Sequence, residues 1–286
     1  MLTYFHILIL AVIQGACELL PVSSSAHVIV AEKLMGLNPS DPAMTLLLVM
    51  LHTGTMFAVI VYFWKGWQRD YFSSPAVLGH FAKQIVIATL ATGVLGYGLK
   101  IIIEKIFMRN TPHAEIENLF SNLPLIATAL ASVGILMIIA GLREKKVSLN
   151  VEIKNHHSFW IGVIQGICLP FRGFSRSGAT ISTGLLFGLP KQKLEEFSFA
   201  LAVVLTPAVI VKELHRLIHA HALSAQGPLT PLYTKCIIGM FLSFIAGMLA
   251  LKWLSKWLQE GYWKFFGFYC LIAAAAIIVI FVLTSP

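Results

Sequence analysis

Long apolar runs separated by short polar connections dominate the chain, and they predict helices that cross a membrane. Four runs are long enough to be full spans, at residues 44–64, 84–103, 123–142 and 262–283. Each approaches the roughly 20 residues that a helix needs to cross about 30 Å of hydrocarbon. Runs at 233–251 and 197–217 predict a fifth and a sixth span. The sixth is expected to kink at Pro207, because proline removes a backbone hydrogen bond.

A second pattern is a repeat of short apolar segments, each followed by a polar turn. The sequence VIQGAC at residues 12–17 returns as VIQGIC at residues 163–168. The segments 2–16 and 158–169 are too short to span comfortably, and another short apolar stretch follows each turn, at 28–35 and 181–189. This pattern predicts two re-entrant helical hairpins. Duplicated broken segments are typical of a binding site between two halves of a membrane protein, so we expect the turns to face each other.

The composition agrees with a membrane protein. Hydrophobic residues make up 57% of the chain and charged residues only 12%, against about 25% charged residues in soluble proteins. The net charge of +8 is interpreted as membrane topology rather than nucleic-acid binding, because Lys and Arg lie mostly in short connections. The four cysteines have neither metal-ligand spacing nor a disulfide pattern, so they are interpreted as packing residues.

The predicted fold is an all-α polytopic membrane protein with six transmembrane helices plus two re-entrant helical hairpins, arranged as an inverted-topology repeat. We expect a single membrane domain over residues 1–286, with halves at approximately 1–142 and 158–286. Basic residues favour the cytoplasmic side, so the side that collects more of them is assigned there and both termini are predicted to be periplasmic. The side assigned to the cytoplasm collects twelve basic residues: Lys65, Arg69, Lys83, Arg143, Lys145, Lys146, Lys154, Lys191, Lys193, Lys252, Lys256 and Lys264. The other side collects seven: Lys33, Lys100, Lys105, Arg109, Lys212, Arg216 and Lys235.

Glu18 is the carboxylate that the first repeat places at membrane depth. Such a residue costs roughly 2.5–3.5 kcal/mol on insertion scales and marks a functional site by default. Gln14 and Glu18 are four residues apart and share a helix face, so they are predicted to hold a divalent cation or to orient a water molecule. A structural alternative is that Glu18 neutralises Arg176.

Three serines follow Glu18 and precede a short apolar helix. Ser23, Ser24 and Ser25 are expected to provide an N-cap, and the same helix start is also an anion site with free N–H groups and hydroxyls. His27 lies three residues after Ser24, and it is predicted to take the Ser24 proton and activate this serine as a nucleophile.

Arg176 is the complementary charge in the second repeat. Its planar guanidinium suits a phosphate group. Arg172 is either a second phosphate clamp or an arginine that snorkels to water, and His52 is interpreted as structural. A phosphate cradle at the start of the second short helix is predicted from Ser175, Ser177, Gly178 and Thr180.

The chain resembles the bacterial undecaprenyl-diphosphate phosphatases that confer bacitracin resistance. Their first motif, Glu/Gln-Gly-x-Thr-Glu-Phe-Leu-Pro-x-Ser-Ser-x-Gly-His, matches at Gln14-Gly15, Glu18, Leu20-Pro21, Ser23-Ser24 and His27. Their second motif, Pro-Gly-x-Ser-Arg-Ser-Gly-Ala-Thr, matches at Gly173 and at residues 175–180, while Arg172 stands where proline is usual.

The resemblance implies an inner-membrane enzyme that hydrolyses a C55 polyprenyl diphosphate and so recycles the lipid carrier of cell-wall synthesis. It also implies dependence on a divalent cation, Mg²⁺ or Ca²⁺, with Glu18, Ser24, His27 and Arg176 in the catalytic positions. The expected partners are this lipid substrate and membrane lipids, with no nucleic acid, and a homodimer is left open. The alternative is a polyprenyl-phosphate flippase, since inverted repeats with broken helices are also a transport architecture.

Overall fold

The computed structural model describes residues 2–38, 41–107, 119, 122–143, 151–223 and 230–284, and over these residues the regular structure is helical, as predicted. A π-helical turn, Ile103–Phe107, continues the fourth α-helix. The described α-helices are α1 (Tyr4–Leu19), α2 (Ser24–Leu34), α3 (Pro42–Asp70), α4 (Pro75–Ile102), α5 (Leu123–Leu142), α6 (Asn155–Cys168), α7 (Arg176–Leu186), α8 (Lys191–Leu223), α9 (Thr230–Gln259) and α10 (Trp263–Thr284).

Polar caps mark the residues where α3, α4 and α5 begin. The side chains of Asp41 and Ser74 accept hydrogen bonds from backbone N–H groups in the first turns of α3 and α4. Asn122 does the same at the start of α5. Each of these helices also has proline in its first turn, where the missing N–H does no harm. As a result, α3 and α4 begin before the apolar runs that predicted them.

Five of the described helices are long and apolar enough to cross a membrane: α3, α4, α5, α9 and α10. They correspond to five of the six predicted spans. The sixth predicted span, 197–217, lies within α8, which is continuous over 33 residues with Pro207 inside it. Helix α8 is not among the five, so the sixth span stays a prediction. The shorter helices α1 and α6 have 16 and 14 residues.

The short helices pack against long helices of the opposite half. Helix α1 lies on α9, and α6 lies on α4. Two glycines at the same place in the repeat permit this approach. A Cβ on Gly15 would stand 2.5 Å from the Ser243 carbonyl oxygen of α9, and one on Gly166 would stand 3.0 Å from the Thr92 carbonyl oxygen of α4. Small residues let membrane helices approach closely, and these two glycines allow α1 to pack against α9 and α6 to pack against α4.

Candidate active site

The two polar turns meet between the ends of the short helices. The first turn joins α1 to α2 and the second joins α6 to α7. The Gly173 backbone N–H of the second turn donates to the Oγ of Ser25, the second residue of α2, with N and O 3.4 Å apart. A side chain at Gly173 would collide with the backbone of Ile126, and its φ of +102° favours glycine. The structure therefore brings together the two motifs that the repeat singled out.

Glu18 is the centre of the polar contacts between the turns. Its Oε1 accepts a hydrogen bond from Arg176 Nη2 at 3.2 Å. Its Oε2 accepts one from Ser24 Oγ at 2.5 Å and another from Gln14 Nε2 at 3.1 Å. The predicted structural contact between Glu18 and Arg176 is thus present. The same carboxylate is also the group that can receive the Ser24 proton.

Ser24 and Arg176 occupy matching positions, because each is the first residue of its short helix. Helix N-termini carry unsatisfied N–H groups and a partial positive charge, which favour an anion. At α7 the side chain of Ser175 caps the helix by accepting from the Gly178 N–H. At α2, Ser23 stands at the cap position without a side-chain capping bond. The side-chain cap expected at the start of α2 is therefore not formed there, whereas Ser175, which was predicted for the phosphate cradle, caps α7.

A cavity of about 250 Å³ opens beside these groups. Its apolar lining includes Leu169 of the second turn and Leu205 of α8. Arg176 Nη1 is buried and has no hydrogen-bond partner among the described residues. Seven of the predicted site residues line the cavity: Glu18, Ser23, Ser24, Ser25, Ser175, Arg176 and Ser177.

Four other predicted residues lie behind the cavity or beside it. Gln14 is buried and contacts the cavity only through Glu18. The Gly178 N–H is used by the cap, and Thr180 Oγ1 bonds the Arg176 carbonyl oxygen and Ser198 Oγ. Arg172 is not among the lining residues, and it interacts instead with the charge of Glu32 on α2. The phosphate-binding role of Gly178, Thr180 and Arg172 stays a prediction.

His27 is directed away from Ser24. Its Nδ1 lies 2.8 Å from the Ser23 carbonyl oxygen, and its Nε2 lies 2.8 Å from the hydroxyl of Tyr269 on α10. It does not line the cavity. The hydrogen bond predicted between His27 and Ser24 is therefore replaced by the one between Ser24 and Glu18.

Sequence reasoning missed three polar residues of the cavity: His52, Gln165 and Thr206, whose hydroxyl donates to the Ala202 carbonyl oxygen. His52 of α3 lines the cavity, with Nε2 3.8 Å from Glu18 Oε2 and Nδ1 2.8 Å from the Leu48 carbonyl oxygen. Gln165, the repeat counterpart of Gln14, also lines it, and its Oε1 is buried without a partner among the described residues. In the sequence, His52 could have been recognised as a histidine within an apolar run, and Gln165 as the repeat of Gln14.

The side chains around Glu18 supply few ligands for a cation. Gln14 directs its amide N–H to Glu18. Among the described residues, no group of three or more His, Cys, Asp or Glu side chains is arranged to hold a metal ion. One carboxylate with hydroxyls is a sparse site for Mg²⁺, which also takes oxygens from substrate phosphates. The donors fit a divalent cation only together with the oxygens of a bound diphosphate.

Comparisons with known proteins agree along nearly the full length of the chain. The family model described as "Bacitracin resistance protein BacA" matches residues 7–276. A protein named "Undecaprenyl-diphosphatase 2" from Acinetobacter baylyi is 55% identical, covering 96% of this chain and 97% of its own. Two proteins named "Undecaprenyl-diphosphatase" are more distant. That of Caldicellulosiruptor bescii is 32% identical over 99% of this chain and 100% of its own, and that of Bacteroides fragilis is 30% identical over 97% and 98%.

Proposed function

The chain belongs to the bacitracin resistance protein BacA family and acts as an undecaprenyl-diphosphatase, and we propose that Glu18, Ser24 and Arg176 carry out the reaction. The product would be undecaprenyl phosphate, the recycled lipid carrier for peptidoglycan synthesis. The observation that carries this assignment is the short contact between Ser24 Oγ and Glu18 Oε2, 2.5 Å, beside a buried arginine nitrogen that has no hydrogen-bond partner among the described residues.

In the first step Ser24 Oγ attacks the terminal phosphorus of the diphosphate. The proton of Ser24 passes to Glu18 Oε2 as the O–P bond forms, and the bond from the terminal phosphorus to the bridging oxygen breaks. Undecaprenyl phosphate leaves with the bond's electron pair on that oxygen and takes the proton from Glu18, which is then a carboxylate again. In the second step the oxygen of a water molecule attacks the phosphoserine phosphorus while Glu18 takes a proton from this water. The P–Oγ bond breaks, Glu18 returns the proton to Ser24 Oγ, and inorganic phosphate is released. An activated nucleophile of this kind divides one difficult displacement into two easier ones.

Arg176 and the two helix starts would hold the charge of the transferred group. Arg176 Nη2 is already bonded to Glu18, so Nη1 is the nitrogen left for a phosphate oxygen. The hydroxyls of Ser23, Ser25, Ser175 and Ser177 line the same cavity. Preorganised donors in a site that excludes water stabilise developing charge strongly. Mg²⁺ or Ca²⁺, held by Glu18 together with diphosphate oxygens, would neutralise part of that charge, while Gln14 orients Glu18.

For the membrane layout we propose six spans, with α8 as the sixth, and two re-entrant hairpins, α1–α2 and α6–α7, in inverted halves. The packing of α1 on α9 and of α6 on α4 supports this symmetry. Both termini would then be periplasmic, and a homodimer stays a prediction.

Single cysteines at Leu2 and Ser73, in a chain whose natural cysteines are replaced, should react with impermeant maleimide from outside and inside respectively. Labelling of the cysteine at position 2 from the cytoplasmic side and of that at position 73 from outside would overturn the orientation.

The function is tested by phosphate release from farnesyl and undecaprenyl diphosphate in detergent, with Mg²⁺, with Ca²⁺ and with chelator. Wild-type protein should release phosphate in a cation-dependent manner, and Ser24→Ala should not. Protein that binds the diphosphate but releases nothing would instead indicate lipid transport by the same anion site.

A further inference from the structure

The first turn contains a strained residue next to the proposed nucleophile. Ser23 has φ +66° and ψ 96°, and it is the one non-glycine residue with positive φ in the described ranges. Side chains other than glycine are uncommon in this region because Cβ crowds the backbone. Such conformations persist only where surrounding contacts enforce them. Since Ser24 follows directly, the conformation of Ser23 determines where Ser24 Oγ points.

His27 provides the contact that holds this turn. Its imidazole Nδ1 and its backbone N lie 2.8 Å and 3.4 Å from the Ser23 carbonyl oxygen, so one residue makes both bonds to that oxygen. The hydroxyls of Ser23 and Ser25 are a further 3.2 Å pair within the turn. The Ser23 carbonyl is therefore fixed mainly by the ring of His27.

Tyr269 of α10 in turn fixes that ring. Its hydroxyl lies 2.8 Å from His27 Nε2, and the two rings are stacked with an interplanar angle of 11°. The neighbouring Cys270 Sγ donates to the Pro21 carbonyl oxygen at 3.6 Å. Helix α10 thus holds the first turn at two points, although it is 242 residues from His27 along the chain.

The hydrogen-bond directions leave His27 without a free nitrogen. A carbonyl oxygen only accepts, so His27 Nδ1 carries the proton and donates to Ser23. In the neutral ring Nε2 is then an acceptor, and the Tyr269 hydroxyl donates to it. Ser24 donates its own proton to Glu18. These assignments give His27 a structural task at the nucleophile rather than a proton-transfer task.

We infer that Tyr269 is a positioning residue for the phosphatase reaction: through His27 it keeps Ser23 in its left-handed conformation and thereby keeps Ser24 Oγ on Glu18. This inference rests on the proposed function. Loss of the Tyr269 hydroxyl frees the imidazole, the Ser23 backbone relaxes toward negative φ, and Ser24 Oγ leaves Glu18 for part of the time. Binding of the lipid diphosphate does not require the hydroxyl, so the effect falls on kcat rather than on KM.

The test is a double-mutant cycle with Ser23→Gly, because glycine takes a positive φ without a tether. Tyr269→Phe in the wild-type background should lower kcat by about tenfold, the value of one well-formed hydrogen bond, with KM within about twofold. In the Ser23→Gly background the same change should alter kcat by less than about twofold. Tyr62→Phe, whose hydroxyl donates to Ser255 away from the first turn, is the matched control and should retain full activity.

A second cycle with His27→Gln keeps the inference testable if Ser23→Gly does not fold. In the His27→Gln background, Tyr269→Phe should cause no further loss of kcat. Wild-type kcat in Tyr269→Phe, or an undiminished tenfold loss in both partner backgrounds, would overturn the positioning role. A wild-type enzyme without phosphate release would instead refute the proposed function, so the two failures are distinguishable.

Discussion

Replacing Arg176 with lysine keeps a positive charge beside Glu18 but removes the planar set of donors that a phosphate group needs. In the structure Nη2 is 3.2 Å from Glu18 Oε1, and Nη1 is buried without a partner in the described part of the chain. A lysine ammonium can replace the first contact as a point charge, but it cannot serve both directions. The expected loss is therefore that of one hydrogen bond between charged groups, Nη1 to phosphate.

Such a bond contributes about 1.5–3 kcal/mol, and about 1.4 kcal/mol corresponds to a factor of ten in rate. Arg176→Lys should therefore lower kcat/KM for undecaprenyl diphosphate roughly 10- to 150-fold, measured as released phosphate in detergent. Arg143→Lys, at an exposed arginine after α5, is the matched control and should remain at the wild-type value. Arg176→Lys with kcat/KM within twofold of wild type would refute the role of Nη1 as a phosphate donor.

Three further substitutions test other parts of the account. Glu18→Gln removes the base for Ser24, so phosphate release should fall at least about 100-fold, while insertion into membranes is unchanged; near-normal release would remove Glu18 from proton transfer. Gln14→Glu puts a second carboxylate beside Glu18, so activity should respond more steeply in a Mg²⁺ or Ca²⁺ titration; an unchanged titration curve would argue against cation binding here. Gly162→Ala places a Cβ 2.3 Å from the Ala88 carbonyl oxygen, whereas Gly93→Ala meets open space. Gly162→Ala should lower the free energy of unfolding by about 1–3 kcal/mol, whereas Gly93→Ala should not. Equal thermal unfolding midpoints of the two variants in detergent would contradict the packing of α6 on α4.

Much of this site follows from the sequence because its main parts are local or repeated. The motifs predicted that Glu18, Ser24 and Arg176 would come together, and the structure places them in direct contact. The boundaries of α5 also agree with the prediction, since a polar cap and a basic residue bracket its apolar run.

The remaining features depend on partners that are distant in the sequence. The spacing of Ser24 and His27 suggested a proton transfer between them, but the direction of the imidazole is determined by Tyr269, far along the chain. Likewise, His52 enters the cavity because of how α3 packs, which an apolar run does not reveal. Arg172 belongs to a motif-like stretch, yet its charge acts on Glu32, a buried residue of α2. Short-range patterns identify such residues, but only the packed structure assigns their contacts.

The central claim is that Ser24 is the nucleophile and Glu18 receives its proton. The most direct measurement is acid quenching of the enzyme during turnover of undecaprenyl diphosphate, followed by mass spectrometry of the peptide that contains residues 23–25. The account predicts phosphate on Ser24 in the wild type and none in Ser24→Ala, which should also release no phosphate. An unmodified peptide together with substantial turnover by Ser24→Ala would contradict it and would indicate direct attack by water.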